Sequence, residues 1–159
     1  MKIPTSLKHK PVFISEDYNL IDGRYSGKSD AKGLSVGLAQ WNDRGRVDAS
    51  AKVWRHTGGK WSNTAEELPL HRVIDLAILL CRTKQYLGNA DTPDKMFDES
   101  DPQIDSIALQ GGAMNIAVCT DNDMIDEDMQ LLKNAIAQED KILDERLTRL
   151  AAILKEMGY

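Results

Sequence analysis

Hydrophobic and polar residues change their spacing along this chain, and each change predicts a different element. From Leu34 they alternate: Val36 and Leu38 oppose Gly37, Ala39 and Trp41, and then Val47, Ala49, Ala51 and Val53 oppose Asp48, Ser50, Lys52, Trp54 and His56. A period of two marks strands. Asn42 to Arg46 supplies a hairpin connection, and Gly58-Gly59 suits a two-residue turn with positive φ at both positions. The spacing predicts a three-strand meander over 34–62 in which Trp61 faces His56. In that register Gly37, Ala39, Ala49 and Ala51 line a face on which a helix could lie close.

The period then lengthens. Leu70, Val73, Ile74, Ala77, Ile78 and Cys81 form one apolar arc at helical spacing, with Pro69 suited to the first turn and Gly88 able to close the end. This predicts a central helix over 69–87, and the width of the arc predicts a core position. Residues 89–106 read as an acidic loop, with Thr92-Pro93 able to cap a short helical turn. The stretch 107–120 reads as two strands, Ile107–Gln110 and Ala113–Thr120, split at Gly111-Gly112, with an Ala-rich helix as the alternative. Residues 1–33 form a loop-rich N-terminal segment holding one apolar run, Val12-Phe13-Ile14, and nothing there demands regular structure.

The C-terminal pattern is the longest. At 100° per residue Ile125, Met129, Leu132, Ile136, Leu143, Leu147, Leu150, Leu154 and Met157 fall within about 40° of one direction. Acidic residues from Asp121 to Asp128 crowd the start, where the helix dipole favours them. A single helix over 124–157 spans about 51 Å, whereas a domain of this size is about 40 Å across. Either the helix breaks around Gln138 to Lys141, or its far end packs on a second chain.

These elements make an α+β fold: an antiparallel sheet of four to five strands packed by the helix at 69–87 and the long helix at 124–157. At 159 residues the chain suits one domain, 1–159. Cys81 and Cys119 stand in apolar surroundings and read as reduced, buried thiols. With no signal-peptide pattern and no run of about 18 apolar residues, the expectation is a cytoplasmic protein with no membrane association.

Charge changes the picture more than composition does. The formal net charge is −5, yet residues 24–60 carry eight Lys/Arg against three Asp/Glu, and residues 91–159 carry six against sixteen. Such asymmetry governs association and partners rather than fold. Trp41, Trp54 and Trp61 all lie in or beside the basic stretch.

The leading candidate site is therefore the polar face of the meander, expected to point outward with Lys52, Trp54 and His56 alternating and Trp61 across from His56. Two indoles and an imidazole beside a cation could stack a base or aromatic ligand and meet its phosphate. The competing reading packs these tryptophans as core against the C-terminal helix, with His56 at the rim. The loop from Asp22 adds Arg24, Lys28 and Lys32, which could wrap an anion, but its glycines do not form GxxxxGK[ST] or GxGxxG, and a surface turn network is the plainer reading.

His71 and Asp75, four apart on a helix, could act as an acid/base pair; an Arg72–Asp75 ion pair is the plainer reading. With three histidines and no HExxH or Cys/His spacing, no metal and no cofactor is expected. Asp121 to Asp128 resembles a calcium loop in acidity alone, because the glycine and the terminal glutamate are missing.

Lys8-His9-Lys10-Pro11 through Asp22-Gly23-Arg24-Tyr25, Asp30 through Trp41, Ala51 through Gly58, Glu145-Arg146-Leu147 and Leu154 through Tyr159 resemble a family of uncharacterised bacterial proteins, a domain of unknown function. The resemblance runs along the whole chain and implies a bacterial cytosolic protein with no activity attached. The residues themselves favour a non-catalytic binding module that forms a homo-oligomer through the C-terminal helix. The alternatives are nucleic-acid or nucleotide binding through the Trp/His-bearing face, and a small hydrolase or transferase using His56 with Arg55 or Asp48.

Overall fold

Alternation at 34–62 does produce strands, and the ladder extends beyond them on both sides. The computed structural model describes the whole chain except residues 44, 46, 63–65 and 90–95. The middle of the first hairpin connection and the Thr92-Pro93 cap lie outside the described residues. The elements are β1 (Lys10–Glu16), β2 (Ala31–Leu38), β3 (Ala49–Thr57), β4 (Lys60–Trp61), β5 (Glu66–Pro69), α1 (Leu70–Asn89), β6 (Gln103–Leu109), β7 (Gly112–Ala117) and α2 (Ile125–Glu156). The protein is α+β, with an antiparallel sheet, a central helix and a long C-terminal helix. The chain divides into two compact units, Met1–Ala77 and Ile78–Tyr159.

In the first unit the described residues form a five-stranded sheet in the order β1-β2-β3-β4, with β5 also pairing β3. The register sets Gly33 opposite Trp54, Ser35 opposite Lys52 and Gly37 opposite Ser50. His56 pairs Trp61, as the spacing predicts, and Gly58 and Gly59 take φ of 60° and 80° in the turn between them. β1 and β5 are the additions. The apolar run Val12-Phe13-Ile14 is the middle of an edge strand paired to β2, a role that comes from the partner ladder rather than from local alternation. Two single-turn 3₁₀ segments, Tyr18–Leu20 and Gly23–Tyr25, fill the loop before β2.

In the second unit β6 and β7 form their own two-stranded sheet, so the strand reading of 107–120 holds over the helical one. Gln103 to Ser106, assigned to the acidic loop from the sequence, belong to β6. Leu87, Phe97 and Met129 form the core here, with Tyr86, Met96, Val118, Ile125 and Ile136 packed against them. Lys84 at the end of α1 bonds Asp140 (2.5 Å) and Asp144 (3.2 Å) of α2. Those two carboxylates push the Lys84 ammonium pKa above its ordinary value. α2 runs unbroken through Gln138 to Lys141 as 32 residues, about 48 Å long.

Two expectations are overturned. The apolar arc of α1, expected to be core, is only partly covered: Leu70, Val73, Ile74 and Cys81 are exposed, Ala77 and Ile78 are half-buried, and Leu87 is the helix's buried residue. Cys81 and Cys119 are exposed free thiols rather than buried ones. In both cases apolar neighbours in sequence identify a stripe, but whether another element covers the stripe is a tertiary matter.

Candidate functional site

The sheet of the first unit has one covered face and one open face, and their chemistry is the reverse of the usual arrangement. The covered face carries Ala31, Gly33, Ser35 and Gly37 of β2 against Ser50, Lys52 and Trp54 of β3. Expected to point outward, it lies inside: Ser50 and Trp54 are no more than 1% exposed and Lys52 is 7% exposed. The N-terminal segment accounts for this. Ile3 and His9 are buried, and a Cβ on Gly33 would fall 2.6 Å from Ile3 Cδ1. One on Gly37 would fall 2.0 Å from the Lys10 carbonyl oxygen. Of the small positions read from the sequence as one face for a helix, Gly37 instead admits the edge of β1, while Ala49 and Ala51 pair with Leu38 and Val36 and so belong to the opposite face.

His9 centres a closed polar network. The hydroxyl of Ser50 donates to Glu67 Oε1 (2.6 Å), as does the Gln40 amide (2.9 Å). His9 Nδ1 lies 3.0 Å from the same oxygen and 3.1 Å from Ser50 Oγ. A carboxylate only accepts, so Nδ1 carries the proton, and in the neutral ring Nε2 accepts from the Ser35 hydroxyl at 2.9 Å. Trp54 Nε1–H completes the chain by donating to Ser35 Oγ (2.8 Å).

Glu67 Oε2 is buried without a hydrogen bond among the described residues, and the Lys52 ammonium stands 3.5 Å from it. Burial alone would raise the Glu67 pKa. The donors from Ser50, Gln40 and His9 outweigh burial and hold the carboxyl below its ordinary value.

Ser35, His9 and Glu67 thus stand in the order of a nucleophile, a base and an orienting carboxylate. The order is not enough for acyl transfer. Ser35 is 5% exposed and already accepts the Trp54 proton. The base also rides on the segment that covers the serine, so uncovering Ser35 removes His9. The arrangement works as a latch that fastens residues 1–9 to the sheet.

Four of the predicted site residues are brought together. Lys52 Nζ sits 4.7 Å from the Trp54 ring centre, Trp54 and Trp61 meet edge to face at 6.0 Å, and His56 meets Trp61 the same way at 5.2 Å. Burial of Lys52 and Trp54 leaves His56 and Trp61, each half-buried, as the reachable part of that row. Lys32 and Arg24 are not part of it. Lys32 donates to the Ser29 carbonyl (2.7 Å), while Arg24 lies over the Tyr25 ring and donates to its hydroxyl.

The partners named for His56 are engaged elsewhere. Arg55 pairs with Glu66 and Asp30, and Asp48 accepts from the Trp41 indole. His71 is exposed and lines a hollow of about 680 Å³ with Trp41, Asp48, Glu67 and Arg72. Near α2, Asn122 donates to Asp128 and Met124 N–H donates to Asn122. The acids Asp126, Glu127 and Asp128 occupy the first helical turn, matching the dipole reading. Sequence reasoning missed His9, Ser35 and Glu67, since they lie in the N-terminal segment, β2 and β5 and no spacing links them.

The open face is apolar. Phe13, Leu34, Val36, Val53, Leu68 and Val73 line a groove of about 560 Å³ on it. Phe13 is 74% exposed, and Val36 and Leu38 are each 42% exposed.

Fold and site together define an α+β protein whose sheet buries its polar face and exposes its apolar one. The chain belongs to a family of unknown function, DUF6530, which matches residues 1–159. No curated protein and no solved structure matches it. No described helix is long and apolar enough to cross a membrane.

Proposed function

We propose that the protein is a non-catalytic interaction module that assembles with copies of itself through the C-terminal end of α2. The observation that carries this reading is surface left uncovered. The chain exposes 11664 Å². A single folded body of this mass exposes about 7,900 Å², and two separate bodies of half the mass about 9,600 Å². The remaining excess of about 2,000 Å² per chain exceeds the ~800 Å² per partner that a standard stable interface needs.

One apolar part of that surface lies at the end of α2. Residues 148–159 are all exposed, among them Leu150 at 40%, Ile153 at 52%, Leu154 at 39% and Met157 at 64%. Covering what remains exposed of each such side chain gains about 1 kcal/mol. The closed state of the Ser35–His9–Glu67 network further favours a non-catalytic reading.

Sedimentation equilibrium or native mass spectrometry of the untagged chain tests the proposal. The expected result is a discrete oligomer at micromolar concentration that carries no additional mass. A monomer at those concentrations would overturn it, and a co-purified nucleotide or oligonucleotide would redirect attention to His56 and Trp61.

A further inference from the structure

Resting on that self-association reading, we infer that residues 147–157 of α2 in one copy dock on the open apolar face of the sheet in a second copy. Three observations converge on this pairing rather than on helix against helix.

The first is the width of the helix's apolar surface. At 100° per residue Leu147, Leu150, Ala151, Ile153, Leu154 and Met157 span about 160°, while Thr148, Arg149, Lys155 and Glu156 occupy the remaining side. A helix pairing with another helix in a coiled coil needs only the narrow a/d seam, whereas one lying on a flat surface presents a broad stripe. Ile153, 52% exposed, belongs to the broad stripe and lies off the seam formed by Leu147, Leu150, Leu154 and Met157.

The second is the receiving surface. The groove beside Phe13, Val36 and Val73 is lined almost wholly by apolar atoms and holds about 560 Å³. A groove of that size has room for several apolar side chains on one face of a helix about 10 Å across. Leu150, Ile153, Leu154 and Met157 are the exposed side chains that the stripe offers to it. Sheets that cover one face only with their own chain bury an apolar face, and here the apolar one is left open.

The third is area. The helix end and the sheet face are each exposed, and a two-fold pair in which each copy gives its helix end and receives the other's makes the contact twice. That reciprocity brings the total buried area toward the 2,000 Å² and above of obligate interfaces, about 1,000 Å² from each chain, which lies within the excess surface. It is a closed, isologous arrangement, and it stops at the dimer.

The test uses Leu154→Glu on the helix and Val36→Glu on the sheet, each checked for native circular dichroism and followed by sedimentation equilibrium. Wild type is expected to be dimeric. Each variant alone is expected to raise the dimer dissociation constant about 100-fold or more, because each places an unpaired carboxylate in both contacts. Mixing the two variants restores a dimer, since one of the two contacts then joins an intact helix to an intact face.

A dimeric Val36→Glu overturns this inference and leaves self-association standing, as helix–helix pairing predicts. A monomeric wild type overturns both. Should either glutamate variant lose its fold, a Val36→Cys chain and a Leu154→Cys chain, each also carrying Cys81→Ser and Cys119→Ser, replace them. Oxidation of their mixture is expected to give a mixed disulfide dimer, and its absence would sink the pairing.

Discussion

Replacing Glu67 with glutamine keeps the shape of the side chain and removes its charge, which makes it the sharpest probe of the covered face. The amide oxygen can still accept from Ser50, His9 and Gln40, so those bonds survive. What is lost is the partner of Lys52, whose ammonium stands 3.5 Å from Glu67 Oε2 with little solvent access. In glutamine that position becomes an amide donor facing an ammonium.

Breaking one side of a buried ion pair costs about 3–5 kcal/mol. The lower end applies because Lys52 keeps the face of the Trp54 ring at 4.7 Å, itself an attractive contact for a cation. A loss of about 3 kcal/mol moves a urea midpoint by about 2–3 M when m is near 1–1.5 kcal/mol/M, and it is a large share of a total stability of about 5–15 kcal/mol. The assay is urea unfolding followed by tryptophan fluorescence, at one fixed protomer concentration because assembly contributes to stability. Lys52→Met in the Glu67→Gln background removes the stranded charge and is expected to recover most of the loss, giving a coupling of about 2 kcal/mol or more. If the two single changes add within about 0.5 kcal/mol, the pair is not interacting and the account of this face is wrong.

Acid should act on the same group. Glu67 is held below its ordinary pKa in the folded chain, so its contribution is present above the unfolded value of about 4.3 and is lost as pH falls through the folded one; a Glu67→Gln chain should show a flatter stability profile in that window, and identical profiles would contradict the assignment. Gly37→Ala places a Cβ 2.0 Å from the Lys10 carbonyl oxygen, a backbone clash expected to cost about 1–3 kcal/mol and to release β1, seen as faster amide exchange confined to residues 10–16. Ser35→Ala leaves the Trp54 indole N–H without an acceptor and His9 Nε2 without a donor. A cost of about 1–3 kcal/mol in thermal or urea unfolding follows, and an unchanged stability would mean that the network does not hold the N-terminal segment.

Period-two and period-3.6 patterns placed β2, β3, α1 and α2 from residues alone, because each element spends its backbone hydrogen bonds locally or on an adjacent hairpin. The His56–Trp61 pairing followed from the same arithmetic and the glycine turn. β1 and β5 were not legible: Val12-Phe13-Ile14 and Glu66 to Pro69 are too short to show a period, and both are strands because β2 and β3 offer them edges.

The assignment of faces could not be read either. Alternation separates Ser50, Lys52 and Trp54 from Ala51 and Val53 without saying which set lies inside, and hydrophobicity argues for the second. Tertiary structure decided otherwise because His9 and Glu67, 58 residues apart, reach the polar set and satisfy its donors and acceptors, while Gly33 and Gly37 make room for the segment that carries His9. The sequence by itself determined where the chain is regular and which residues share a side. Only the folded arrangement decided which side is covered, because burial depends on partners that no local spacing records.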